Sequence, residues 1–461
     1  MKEKILQTLH DLRAHALEKG YETTLFYHEE DNHLMRFANS AISLNTSEHL
    51  IRLGITAYSG RKRASYELIT NLDKVDEMKQ GVDIAAEMAE HAQPLSYQPT
   101  IPTFKESFVD ESAYDPDLAS ISNEERLQYF NQAVGGLESE EIKLSGIFSH
   151  GTNTIAQINT RSDHTQYFKT TDAQITAVLS HARLKWEVTA EQSAQNKENL
   201  DSLGLHSELS FLVAHYQQDA PQQLPLGRYD IVFGSAATAD LVSFMNWIGF
   251  NGGSMKRGVS FLREQDIGEP VFSSKFTLID DPNLLETFPF KRDFTGIQRN
   301  PFPIFREGVF QGFTWLQDDA DEFEAEATGH TVSHWSLMLC GGSANVSSLQ
   351  ELVQMPRERD LLYIPFLHYS NVVNPSRGIV TGSSRFGALL LKKDGRVAIP
   401  YNVRLTQSLL DIFSDKLEWL SQATVPYNTS HSYGARNPSA VIVPKFIRVN
   451  GLEISHSNTS Y

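Results

Sequence analysis

The hydrophobic pattern changes period after the first twenty residues, and that change limits the fold more than any other feature of the chain. Ile5, Leu9, Leu12 and Ala16 recur at helical spacing on one face, charged residues fill the other, and Gly20 is placed to end the helix. From Thr23 onward, short apolar runs follow one another with turn residues between them. Thr23–His28, Ala41–Leu44, Leu50–Ile55 and Arg63–Ile69 read as strands, with turns expected at Asp31-Asn32 and Tyr58-Ser59-Gly60. A helix is expected from about Asp73 to His91, where Val75, Met78, Val82, Ala85 and Met88 share a face. Gln93–Asp117 reads as a long surface connection, and a short helix near Glu124–Val134 follows it. Ile142–Ser149, Thr154–Thr160, Ile175–Ser180 and Leu184–Thr189 then read as antiparallel strands, one pair joined through Gly151-Thr152-Asn153. Helix-prone sequence from Ser193 to about Tyr216 closes this half.

Pro221–Gly227 is the expected domain boundary. Beyond it, Tyr229–Phe233 reads as a buried strand. A helix capped by Ser235 follows, with Ala237, Leu241, Phe244, Met245 and Ile248 inside. Short strands and loops come next, with further helices expected near Ser347–Met355 and Arg404–Leu420. The expected fold is therefore α+β, with antiparallel or mixed sheets and flanking helices. It divides into an N-terminal domain, 1–220, and a β-rich C-terminal domain, 221–461, a reasonable division for 461 residues.

Charge narrows the function. A net charge of -17 repels nucleic acid and anionic membranes unless one face is locally basic, and Arg61-Lys62-Arg63 on a hairpin tip reads as a solvated loop. Cys340 is the single cysteine, so no internal disulfide can form and a reducing cytoplasm is the expected compartment. The first segment reads as a helix, not a signal peptide, and no apolar run is long enough to span a bilayer. Phosphate-binding, dinucleotide-binding and nucleophile-elbow glycine motifs are all missing. Gly341-Gly342-Ser343 beside Cys340 reads as a turn after a strand.

Several short segments, each weak alone, occur in an order that resembles the TldD/PmbA family of peptidases and modulators of DNA gyrase. They are the strand and helix from Tyr229 to Phe250, Gly252-Gly253-Ser254, Arg257–Leu262, Thr277–Pro282 and Glu307-Gly308-Val309. Ala327-Thr328-Gly329-His330, Thr381–Ser384 and a last strand, Ala440–Val449, ending at Asn450-Gly451, complete the series. In the first half, Arg36, Asn39, Ile42 and Gly54–Ala57 resemble the family's opening hairpins. The resemblance implies a dimer that processes small unstructured peptides. One subunit carries zinc on a His-Glu-x-x-x-His helix with a late cysteine, and the PmbA-like subunit lacks these ligands. It also implies substrate or interface contacts at Arg257, Gly329, His330 and Ser384.

Placed on this chain, the two histidine positions of the zinc helix fall on Ser243 and Ile248, and the glutamate on Phe244. Zinc requires nitrogen, thiolate or carboxylate donors, and its chemistry requires a carboxylate nearby to take a proton from the bound water. Ser235–Lys256 contains neither His nor Glu, and no cysteine follows Cys340. The expectation is a subunit with no catalytic residues, no bound metal and no cofactor, paired with a zinc-bearing TldD-like chain or with itself. Two readings stay open beside it: an autonomous metallopeptidase with a different site, and a peptide-binding homodimer. His28-Glu29-Glu30-Asp31-Asn32-His33 spells the zinc motif literally but reads as two solvent-side histidines flanking a turn. His330 and His334 form a pair four apart in a loop or strand. Asp318–Glu324 lacks the central glycine of a calcium loop and reads as a solvated acidic face.

Overall fold

Helix α1 (Lys2–Glu18) forms where the spacing predicts it, burying Ile5, Leu9, Leu12 and Ala16, and Gly20 just beyond it takes φ +73°. The structure, a computed structural model, describes residues 1–218, 220–330, 335–430 and 436–460. Among these, no helix is long and apolar enough to cross a membrane. The fold is α+β, built on sheets of seven, six and nine strands.

The first sheet uses strands far longer than the sequence pattern suggests. β1 (Glu22–Ala38) and β2 (Ala41–Ser59) pair along their whole length, and β3 (Lys62–Thr70) joins β2 from Ile51 onward. Asp31-Asn32 is therefore not a turn. The chain reverses at Asn39-Ser40, both at positive φ, the geometry of a two-residue hairpin. β4 (Phe108–Ala113) lies inside the segment read as a surface connection and pairs parallel to β6. β5 (Ile142–Asn159) runs straight through Gly151-Thr152-Asn153, beside β6 (Ser162–His181) and β7 (Glu187–Ala194). Gly151 is a close-approach residue. A Cβ there would sit 2.4 Å from the Asp31 carbonyl oxygen and 2.8 Å from the Arg436 side chain.

Side-chain alternation gives this sheet two unlike faces. Leu25, Tyr27, Leu53, Ala156 and Ile158 share one face and pack under α1 and α2 (Val75–His91). In α2 the buried set includes Met78, Val82, Ala85 and Ala89, while Met88 faces solvent. Farther along, Phe148, Ile175 and Leu179 pack with Tyr129 and Phe130. The last two belong to α4 (Asn123–Val134), which follows the single turn α3 (Pro116–Ala119) and starts with a Ser122/Glu125 capping box. The opposite face carries His28, Glu30, Asn153, Gln157, Gln166, Thr170, Asp172, Gln174, Glu191 and Ser193 in register. It is polar yet buried, because the C-terminal half lies against it.

That half contains α6 (Ser235–Ile248), preceded by α5 (Ser202–Gln218) and β8 (Gly227–Gly234). Ser235 is the first helical residue of α6, after an N-cap at Gly234. Arg404–Leu420 is not one helix: strand Val403–Ser408 and strand Leu417–Leu420 flank a five-residue helix. Ala440–Val449 divides between two strands, Ala440–Pro444 in the six-stranded sheet and Phe446–Ser457 in the nine-stranded one.

Charged side chains fasten the two halves. Arg436 donates two hydrogen bonds to the Asp172 carboxylate, at 2.8 and 2.6 Å, and its backbone N–H donates to Glu30. Asp318 accepts from Arg63 and Asp321 from Thr100, so the acidic run, in the helix Gln317–Phe323, is engaged with protein and not a solvated face. Arg63 is likewise engaged at the basic hairpin tip. Arg436 and Asp172 are 12% and 3% exposed, so truncating one strands the other's charge. Arg436→Ala should lower stability by about 3 kcal/mol in urea unfolding. Arg161→Ala, which removes an exposed pair with Glu22, should cost less than about 1 kcal/mol.

Candidate functional site

The polar face of the first sheet opens at β7 into a cavity of about 360 Å³. Glu191 and Ser193 come from β7, and alternation along the strand turns both to this face. Asp201 and Glu208 come from the start and first turns of α5, and Glu286 from the 3-10 turn Leu285–Thr287. Tyr363, Tyr427 and Asn428 approach from the C-terminal sheets. Lys445 sits at the one-residue break between the last two strands.

Behind the lining lies Asp240, the one acid on α6. Enclosure among protein atoms drives its pKa up to about 7, with the nearby Glu191 adding to the rise and a hydrogen bond from Ser370 at 3.4 Å opposing it. Glu191 is raised by burial and by Glu208, against hydrogen bonds from Tyr427 and Thr176 that hold it down. Burial also raises Glu208, with Lys445 pulling the other way. The Tyr427 hydroxyl is pushed well above its ordinary range by burial and by the Glu191 and Asp240 charges. Two carboxyls that resist ionisation, Glu191 and Glu208, thus face the cavity with a third, Asp240, behind its wall, a pattern found at functional sites more often than in ordinary cores.

The positions expected to carry the zinc motif lie on the same helix. Ser243 Oγ is buried without a hydrogen-bond partner among the described residues, Phe244 packs against the core, and Ile248 is fully buried. None of these can hold zinc, and among the described residues no three His, Cys, Asp or Glu side chains converge to ligate a metal. Cys340 is half-buried, and that burial raises its thiol pKa. It is not activated as a nucleophile.

The other sequence candidates are held in structural contacts. Arg257 bonds Asp319 at 2.8 Å and also Glu322, and lies over Phe323. Gly329, at φ +75°, lets the chain pass against Ile297 and Arg299. His330 is 2% exposed, with Nδ1 2.9 Å from Asp280 Oδ2. Asp280 in turn accepts from Arg299 at 2.7 Å. Ser384 is fully buried, and its Oγ accepts from the Val403 N–H. His334 lies outside the described residues. His28 is not solvent-side: it is 4% exposed and bonds Asn153, whereas His33 stacks on His150 from the opposite face of the sheet. A spacing of five along a strand makes that divergence unavoidable.

Sequence reasoning missed Glu191, Glu208, Asp240 and Tyr427. The available signal was Asp240, a lone acid in an otherwise apolar and small-residue helix. An acid whose pKa is higher folded than unfolded keeps its proton preferentially in the folded state. Its neutral form is therefore fully compatible with folding below the ordinary value of 3.8, and stability is lost as pH climbs toward about 7. Asp240→Asn should melt roughly 2–5 °C above the parent at pH 8, and the gap should narrow toward zero as the pH approaches 4, in parallel thermal scans.

Residues 226–456, just over half the chain, match the family described as the PmbA/TldA metallopeptidase C-terminal domain. Three solved structures share the fold. TldE from Thermococcus kodakarensis superposes with TM-score 0.78 at 14% identity, covering 97% of this chain and 100% of that one. A candidate modulator of DNA gyrase from Thermotoga maritima gives 0.74 at 15%, covering 97% and 99%. One from Bacteroides thetaiotaomicron gives 0.76 at 16%, covering 97% and 98%. A search of curated proteins finds no match.

Proposed function

Because this chain belongs to the PmbA/TldD metallopeptidase family, we propose that it is the non-catalytic partner of a zinc-bearing TldD-like subunit and holds unstructured peptide for it. The observation that carries this reading is α6. Where the family's zinc helix would present two imidazoles and a glutamate, this helix presents Ser243, Phe244 and Ile248, and no step of metal-assisted hydrolysis can be routed through them. What remains is an enclosed polar surface. Gln157 and Gln166 are fully buried, and their amide atoms have no partner among the described residues, which suits them to the backbone N–H and C=O groups of an extended chain.

Residues 1–220 and 221–461 are its two proposed domains; the seven-stranded sheet draws only on the first and the other two sheets only on the second, which supports that division. The cytoplasm is the proposed compartment, and with 57 acidic against 40 basic residues no nucleic-acid role is proposed. The alternative of an autonomous metallopeptidase using His330 loses support from the burial of that ring against Asp280. A homodimer that clasps peptide remains the second reading.

The test is reconstitution. The purified chain alone should hold less than about 0.1 zinc per subunit and show no chelator-sensitive peptidase activity. Adding a TldD-like chain with an intact zinc helix should give a co-eluting complex with activity above that of either chain. Stoichiometric zinc and chelator-sensitive hydrolysis by this chain alone would overturn the proposal. A homodimer that binds peptide but no such partner would leave the second reading.

A further inference from the structure

We infer that the cavity beside β7 and α5 is a recognition site for a primary ammonium group of a peptide, lodged between Glu191 and Glu208 next to a peptide carbonyl. The inference rests on the peptide-holding role proposed above and names the chemistry recognised.

Four observations converge. The lining carries four acids, Glu191, Asp201, Glu208 and Glu286, against one base, Lys445, so a cation entering it meets an excess of acidic groups able to take up the opposite charge. Desolvated carboxyls that resist ionisation when alone gain by ionising opposite a cation, which makes the charge of the ligand the feature discriminated. Two lining side chains more than nine-tenths buried have unused hydrogen-bonding atoms: Ser193 Oγ and Asn428 Nδ2 lack partners among the described residues. The Ser193 hydroxyl can accept from an ammonium. The Asn428 amide, whose oxygen already takes the Ser430 N–H, has its nitrogen left to donate to a carbonyl oxygen. Unpartnered buried polar atoms are costly, so their presence together in one chamber points to a polar ligand.

The fourth observation is shape. Tyr363, Phe366, Val425 and Pro426 give the chamber an apolar wall, along which a methylene stem can lie with its charged end at the carboxyls. The volume of about 360 Å³ accommodates one side chain and leaves room for a few waters. Because no three potential ligands converge among the described residues, the geometry suits an extended organic cation better than a bare metal ion. A lysine side chain and a peptide amino terminus both supply a primary ammonium near a carbonyl.

The experiment is calorimetric titration of the full-length chain at pH 7.5 and low salt with four probes. These are an acetylated hexapeptide with one central lysine, the same peptide with norleucine in its place, the norleucine peptide with a free amino terminus, and 1,5-diaminopentane. The acetylated norleucine peptide should bind at least tenfold more weakly than the lysine peptide or the free-amine peptide, and whichever of those two is tighter identifies the source of the ammonium. Glu191→Gln/Glu208→Gln should abolish that preference. This double variant relieves repulsion between buried acids, so it should fold, which thermal melting checks. Ser193→Ala should weaken the charged peptides several-fold and leave the neutral one unchanged. Equal affinity for charged and neutral peptides, or a preference that survives the double variant, sinks the inference and leaves the peptide-holding role intact. Binding of the diamine with none of the peptides sinks the peptide-holding role and leaves the ammonium site. No binding of any probe overturns the inference.

Discussion

Arg436 fixes the arrangement on which the rest of the molecule depends. One side chain from the C-terminal half reaches across to a β-sheet built entirely from the first half and meets the buried Asp172 carboxylate. Neighbouring bonds to Asn32 and Ser149 leave the guanidinium well provided with acceptors, and the backbone N–H of Arg436 donates to Glu30. An ion pair so deeply placed adds modestly to net stability, since two ions must first be stripped of water. Its greater effect is on geometry. Any relative shift of the halves would strand a charge, so the polar face of the sheet is held at a set distance from its lid.

The chamber follows from that constraint. A sheet with apolar residues on both faces would have closed dry against the second half. With glutamine, asparagine, threonine and carboxylates on the facing side, closure leaves side-chain atoms that no described residue satisfies, among them those of Asn153, Gln157, Gln166 and Thr170. Apolar contacts such as Phe168 with Phe290 and Phe26 with Phe294 seal part of the margin. The acids cluster where that seal gives out, at β7 and α5.

Much of this was legible in the sequence. α1, α2, α4 and α6 follow from apolar spacing, and the family follows from an ordered series of short segments in the second half. The errors have one physical source. Where both neighbours along a strand are polar, as at Asp31-Asn32 and Thr152-Asn153, the pattern of a strand lining a polar interior is the same as that of a turn. Gly151 strengthened the illusion, although its role is to let Arg436 and the adjoining strand come close. The carboxyls of the chamber were hidden for a different reason. Glu191, Glu208 and Asp240 lie on separate elements, and only the packing of β7, α5 and α6 brings them together.

The length of the central strands has its own consequence. β5 and β6 run for 18 and 20 residues, with mostly polar side chains toward the C-terminal half and interruptions such as Ile155 and Phe168. Deleting a single residue midway along β5 would invert every side chain beyond the lesion, driving Gln157 beneath α1 and turning Ile158 toward the C-terminal half. Within these ribbons the fold therefore tolerates replacement of a residue far better than its gain or loss, which only the loops can absorb.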